Sequence, residues 1–120
     1  MNTTPLESQE QATLFEWAGR MIGRYPELAL LHAIPNGGSR NPIEARNLRL
    51  QGVRAGVPDI CLPCARNGFH GLYIELKRIK GGRVSVEQKK MILALQEQGY
   101  KAVVCYGWEE AANVIQEYMS

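Results

Sequence analysis

Asp59 is the only aspartate in a chain of 120 residues, and it directly follows Pro58. Sixteen residues later comes Glu75-Leu76-Lys77. If both segments are strands, side chains alternate between faces, so Glu75 and Lys77 point the same way. Asn67-Gly68 lies between the two segments and is a strong hairpin signal, which sets Asp59 alongside Glu75. Two carboxylates and an ammonium then meet at one sheet edge. Hard oxygen anions of this kind suit Mg²⁺ or Mn²⁺, which would neutralise a phosphodiester and lower the pKa of a bound water. The lysine would orient that water or balance developing charge. The chemistry these residues suit is metal-assisted hydrolysis of a phosphodiester. The plainer reading is a turn aspartate with an ordinary surface ion pair on an edge strand.

Other residues bear on the same chemistry. Glu10 lies four, seven and eleven residues before Leu14, Trp17 and Met21, so it continues the apolar stripe of a helix. A carboxylate placed there is either the end of a stripe reaching water or a member of the metal site. Gln88 closes the capping box Ser85-x-x-Gln88; alternatively it faces the sheet edge and holds the attacking water or a phosphate. Arg40, Arg46, Arg49 and Arg54, grouped with Asn36 as DNA-binding candidates, either follow a nucleic-acid backbone or form a solvated helix face.

The elements that must position these residues follow from periodicity and caps. Thr4-Pro5-Leu6-Glu7 opens a first helix, with Leu14, Phe15, Ala18, Met21 and Ile22 at helical spacing as far as about Arg24. The short apolar run from Leu28 to Ile34 predicts a strand, ended by Pro35-Asn36-Gly37-Gly38. Asn41-Pro42-Ile43-Glu44 opens a second helix, closed by Gly52. Strands are expected over Val57 to Leu62, Leu72 to Leu76 and Ala102 to Tyr106. A helix from the Ser85 cap to Gly99 lies between the last two, and a final helix spans Trp108 to Met119. The third strand, its following helix and the fourth strand form a crossover, so those strands should be parallel. The order αβαββαβα makes an α/β fold, a small mixed sheet flanked by helices.

Composition narrows the class. The chain is 45% apolar and 22% charged, which fits a globular protein of one domain. It holds no apolar stretch long enough for a membrane span and no secretory signal, so a soluble cytosolic protein is expected. The net charge of +2 is unevenly spread: residues 36–90 carry a balance of +7 and the flanks −5. Such a basic middle suggests a polyanion partner, most often nucleic acid, or else is solvated surface charge. Cys61 and Cys64 have CxxC spacing, but Ala65-Arg66-Asn67-Gly68 behind them reads as a turn where a redox pair needs a helix. With Cys105 the cysteines are odd in number and are expected to be structural.

The ordered motifs Gly56-Val57-Pro58-Asp59, Tyr73-Ile74-Glu75-Leu76-Lys77 and Ser85-Val86-Glu87-Gln88-Lys89 resemble the virus-type replication-repair nuclease (VRR-NUC) domain. That family belongs to the PD-(D/E)xK nuclease superfamily. His32-Ala33-Ile34-Pro35-Asn36, Leu50-Gln51-Gly52-Val53 and Gln98-Gly99-Tyr100-Lys101-Ala102-Val103-Val104 extend the likeness from about Glu10 to Tyr106. Each motif is short; the specificity lies in their order and spacing. The resemblance implies a restriction-endonuclease-like fold over residues 1–120. It implies that Asp59, Glu75 and the Leu76 carbonyl bind Mg²⁺ or Mn²⁺, and that Lys77 is the catalytic lysine. Glu10 matches the family's first-helix glutamate and Gln88 the glutamine of the helix after the core strands, which adds both to the catalytic set and Glu10 to the metal ligands. It further implies a homodimer that cuts branched DNA, including four-way (Holliday) junctions, in the cytoplasm of a bacterium or phage-infected host, without an organic cofactor or membrane. Two readings stand beside it: a nuclease preferring flaps, nicks or duplex, and a DNA-binding protein whose nuclease geometry is vestigial.

Overall fold

A computed structural model describes residues 4–35 and 41–120. The first helix, α1 (Glu7–Met21), opens where the Gln9 side chain accepts the Leu6 N–H at 2.7 Å. It buries Glu10, Leu14 and Ala18, spaced four residues apart along one face. The run from Leu28 onward is not the strand expected from its apolar content. Pro26 fixes a helical φ at its start, and Pro26–Leu30 forms a 3-10 turn that buries Leu28. Only His32–Ala33 remains extended, as β1. The helix α2 (Pro42–Leu50) is capped by Asn41, whose side-chain oxygen accepts the N–H groups of Ile43 and Glu44.

Strands β2 (Ile60–Leu62) and β3 (Leu72–Lys77) pair antiparallel, with Ile60 opposite Ile74. Asn67 and Gly68, with φ of 53° and 84°, supply the two positive φ values that a tight hairpin turn requires. β2 starts later than the expected Val57 because Pro58 has no N–H to give the ladder. The helix α3 (Val86–Glu97) leads to β4 (Lys101–Tyr106), which runs parallel to β3, and α4 (Trp108–Met119) ends the chain. The sheet order is β1-β2-β3-β4, and it is mixed as expected.

The core lies where α1 and α4 pack on each other and on the sheet. Leu14, Ile60, Leu62, Leu72, Ile74, Leu76 and Ile115 are essentially inaccessible there. Alternation along β3 sends Tyr73, Glu75 and Lys77 to the opposite face from Leu72, Ile74 and Leu76. Among the described residues, no helix is long and apolar enough to cross a membrane.

Candidate active site

Extending the β2–β3 register by one residue puts Asp59 opposite Glu75. The Leu76 N–H donates to Asp59 Oδ2 at 2.9 Å, which fixes that carboxylate against the end of β3. Asp59 is further held through its own carbonyl, which accepts the Ile34 N–H at 2.6 Å. Glu75 is only 1% exposed. Its Oε2 accepts from Gln88 Nε2 at 3.0 Å and lies 3.4 Å from Lys77 Nζ. Its Oε1 is buried with no donor on it. Lys77 is buried too, and its carbonyl accepts the Gly107 N–H. The structure therefore assembles Asp59, Glu75, Lys77 and Gln88 at one end of β3.

The third carboxylate is Glu7. Its oxygen, with those of Asp59 and Glu75, forms a group whose ligand atoms all lie within 4.8 Å of one another, the only such trio among the described residues. Glu10, expected among the metal ligands, lies outside that trio. Glu10 does extend the buried stripe of α1, but its Oε1 accepts the Trp108 N–H at 3.2 Å, at the first turn of α4. There it meets the positive end of the helix dipole and satisfies a donor that has no partner within the helix. Its Oε2 is buried without a donor. Residue type does not separate the two glutamates, and the sequence marks Glu7 only as part of a helix start.

Electrostatics fit a site built for a cation. Burial, and next to it the charge of Asp59, push the Glu75 carboxyl up to about 8, against the opposing pull of Lys77. Glu7 is raised for the same reasons in the same order, burial first and Asp59 second. Three carboxylates this close repel one another once ionised, and one ammonium does not balance them. The donor-less Glu75 Oε1 and the all-oxygen ligand set both match a hard divalent ion.

Gln88 completes the capping box and also faces the sheet edge, where its partner is Glu75. Its Oε1 accepts the Ser85 N–H at 2.8 Å, completing the capping box, while its Nε2 reaches Glu75. The loop ahead of Asp59 is seated on the same helix end. Gly56 has a φ of +88°, and a Cβ there would collide with the Glu87 carbonyl oxygen. Only glycine permits that approach.

The DNA-binding candidates are less gathered. Arg46 and Arg49 are exposed on α2, which has no fully buried residue. Arg54 donates to the Arg49 and Val53 carbonyls and so braces the end of α2. Asn36 and Arg40 lie outside the described residues. Cys61, Cys64 and Cys105 are buried free thiols, as expected for structural cysteines.

The VRR-NUC domain family matches residues 8–109. A solved structure described as a VRR_NUC domain protein is 31% identical and superposes with a TM-score of 0.86, covering 98% of this chain and 91% of its own. No match was found among curated proteins. The four-stranded mixed sheet with its helices is thus a restriction-endonuclease-like fold. With residues 8–109 matched and the carboxylates and lysine gathered at the end of β3, the chain belongs to the VRR-NUC family, nuclease domains of the PD-(D/E)xK type.

Proposed function

We propose that the protein is a divalent-cation-dependent, structure-specific DNA endonuclease that cuts branched DNA, with four-way junctions as its preferred substrate. The observation that carries this reading is the trio of Glu7, Asp59 and Glu75 beside buried Lys77, with one Glu75 oxygen left without a donor. Glu7, Asp59, Glu75 and the Leu76 carbonyl would hold Mg²⁺ or Mn²⁺. When bound, the ion supplies charge neutralisation of the phosphodiester and a lowered pKa for a coordinated water.

The chain's own groups do the rest. Lys77, fixed by Glu75 and by the Gly107 contact to its carbonyl, presents its ammonium to the phosphate oxygens or to the attacking water. Gln88 holds Glu75 in place, so its role is to orient a ligand. Arg46 and Arg49 would meet DNA phosphates from α2. A two-fold homodimer would place two such sites on a branched substrate with two-fold symmetry, one per strand cut. Residues 1–120 act as one nuclease domain in this reading, working in the cytoplasm.

The test is cleavage of a labelled four-way junction beside flap, nicked and linear duplex substrates, in Mg²⁺, Mn²⁺ and EDTA. Paired symmetric nicks that vanish in EDTA, with linear duplex spared, are expected. Asp59→Asn and Lys77→Ala should lose at least about a hundredfold in rate while keeping the wild-type fold by circular dichroism. Full activity of either variant would refute the assignment. Tight, metal-independent binding without cutting would identify a binding protein with a vestigial site.

A further inference from the structure

Residues 78–85 join β3 to α3, and both ends of this loop lie at the carboxylate cluster, through Lys77 before it and Gln88 after it. The loop is held close. Arg78 Nη2 donates to the Thr4 carbonyl at 3.2 Å, tying its start to the segment just ahead of Glu7. A Cβ on Gly82 would lie 2.9 Å from both the Arg78 carbonyl oxygen and Lys77 Cβ, so the chain folds back against the end of β3. Besides Ile79, Gly81 and Ser85, what it leaves facing solvent is basic. Lys80 and Arg83 are exposed, and Lys89 and Lys90 add exposed ammonium groups in the first half of α3.

Among the described residues, ion pairs join Arg20 to Glu16, Arg66 to Glu27 and Lys77 to Glu75, and none neutralises these four cations. Glu87 is the only acid between Leu76 and Lys90. Lys89 and Lys90 also sit nearer the positive end of the α3 dipole than the negative one, so helix stability does not account for them. A mobile-length side chain with an uncompensated charge, on a backbone fixed beside a phosphodiester site, is suited to phosphates one or two nucleotides from the cut.

We infer that Lys80, Arg83 and Lys89 form the surface that grips the phosphate backbone of the strand being cleaved, an inference that rests on the nuclease reading above. Arg78 stands apart from it, being committed to Thr4. The contact carries no base information, so it should raise affinity for every DNA form that reaches the site.

The experiment measures binding of a labelled four-way junction by fluorescence anisotropy in Mg²⁺, on a Lys77→Ala background so that bound DNA is not cut, as KCl is raised. Each lost phosphate contact removes nearly 1 from the slope of log Kd against log salt, and about fivefold in affinity near 0.15 M salt. Lys80→Gln with Arg83→Gln should therefore lower the slope by nearly 2 and weaken binding about thirtyfold. Adding Lys89→Gln should continue the trend. Lys101→Gln removes the same charge at the far end of β4, opposite Leu72, and should change affinity less than about twofold. An unchanged slope and affinity in the double variant, while the background protein binds, would overturn the surface and leave the nuclease reading standing. A background protein that binds no DNA at any salt would overturn both.

Discussion

Replacing Glu75 with Gln should make the metal-free protein more stable while abolishing its activity. Glu75 is 1% exposed, and burial together with Asp59 holds its carboxyl protonated up to about 8 in the folded protein, against an ordinary value near 4.5. The folded state thus binds a proton that the unfolded chain has already released across that window. The sign follows: stability falls as pH rises from about 5 to about 8, by about 1.4 kcal/mol per pH unit, and is lost no further above it. At pH 7 the accumulated cost is about 3 kcal/mol, on the order of 10 °C in Tm for a chain of this size. A glutamine has the shape of the protonated acid. Its carbonyl can accept from Gln88 Nε2, and its neutral amide places no charge beside Asp59. The assay is thermal unfolding of both proteins in EDTA from about pH 5 to pH 9. The two melts should nearly coincide at the acid end and separate steadily to about pH 8, with the Gln variant higher. Mg²⁺ at pH 8 should then raise the wild-type Tm much more than that of Glu75→Gln. A Tm difference that stays constant with pH, or a variant that is less stable at pH 8, would refute the reasoning.

The other perturbations test how the site is held. Glu10→Gln keeps an acceptor for the Trp108 N–H and should cleave DNA with an unchanged Mg²⁺ requirement, whereas Glu10→Ala should lose about 1 to 2 kcal/mol of stability, read from urea unfolding; a Mg²⁺ requirement raised tenfold in Glu10→Gln would return that residue to the metal ligands. Gly56→Ala puts a Cβ against the Glu87 carbonyl at a positive φ and should cost about 2 to 4 kcal/mol by chemical denaturation, with cleavage falling because Asp59 and Gln88 are displaced together. Replacing Cys61 and Cys64 together by Ser buries two hydroxyls and should lower Tm, yet leave cleavage per folded molecule within about twofold, as measured against the folded fraction.

Much of the fold was legible because its signals are local. Asn67-Gly68 specified a hairpin, Ser85-x-x-Gln88 a helix start, and the spacing between Leu76 and Ala102 a crossover that made the last two strands parallel. The run from Leu28 to Ile34 departs from the expected strand because apolar content alone does not distinguish a strand from a turn packed on the core. Pro26 was the local signal, since it fixes φ at a helical value and starts the 3-10 turn that buries Leu28. The shortening of β2 was legible too, in the missing N–H of Pro58.

The two glutamates of α1 show where sequence reading of the site reaches its limit. Glu7 and Glu10 stand three residues apart, close to one turn, so helical phase puts both on nearly the same side. What separates them is about 4.5 Å of rise along the axis. At one height α1 passes the end of β3, where Asp59 and Glu75 wait; one turn further it passes the first N–H groups of α4. That offset depends on how α1 packs across the sheet, through Leu14 and Ala18. The Glu10 contact to Trp108 then fixes the height at which Glu7 projects. The same Gly107–Trp108 corner that takes Glu10 also donates to the Lys77 carbonyl. A single buried carboxylate outside the cluster thus ties the helix bearing Glu7 to the strand end bearing Lys77. The separation between Glu7 and Lys77 is held by one side-chain and one backbone hydrogen bond, while Glu7, Asp59 and Glu75 repel one another once ionised.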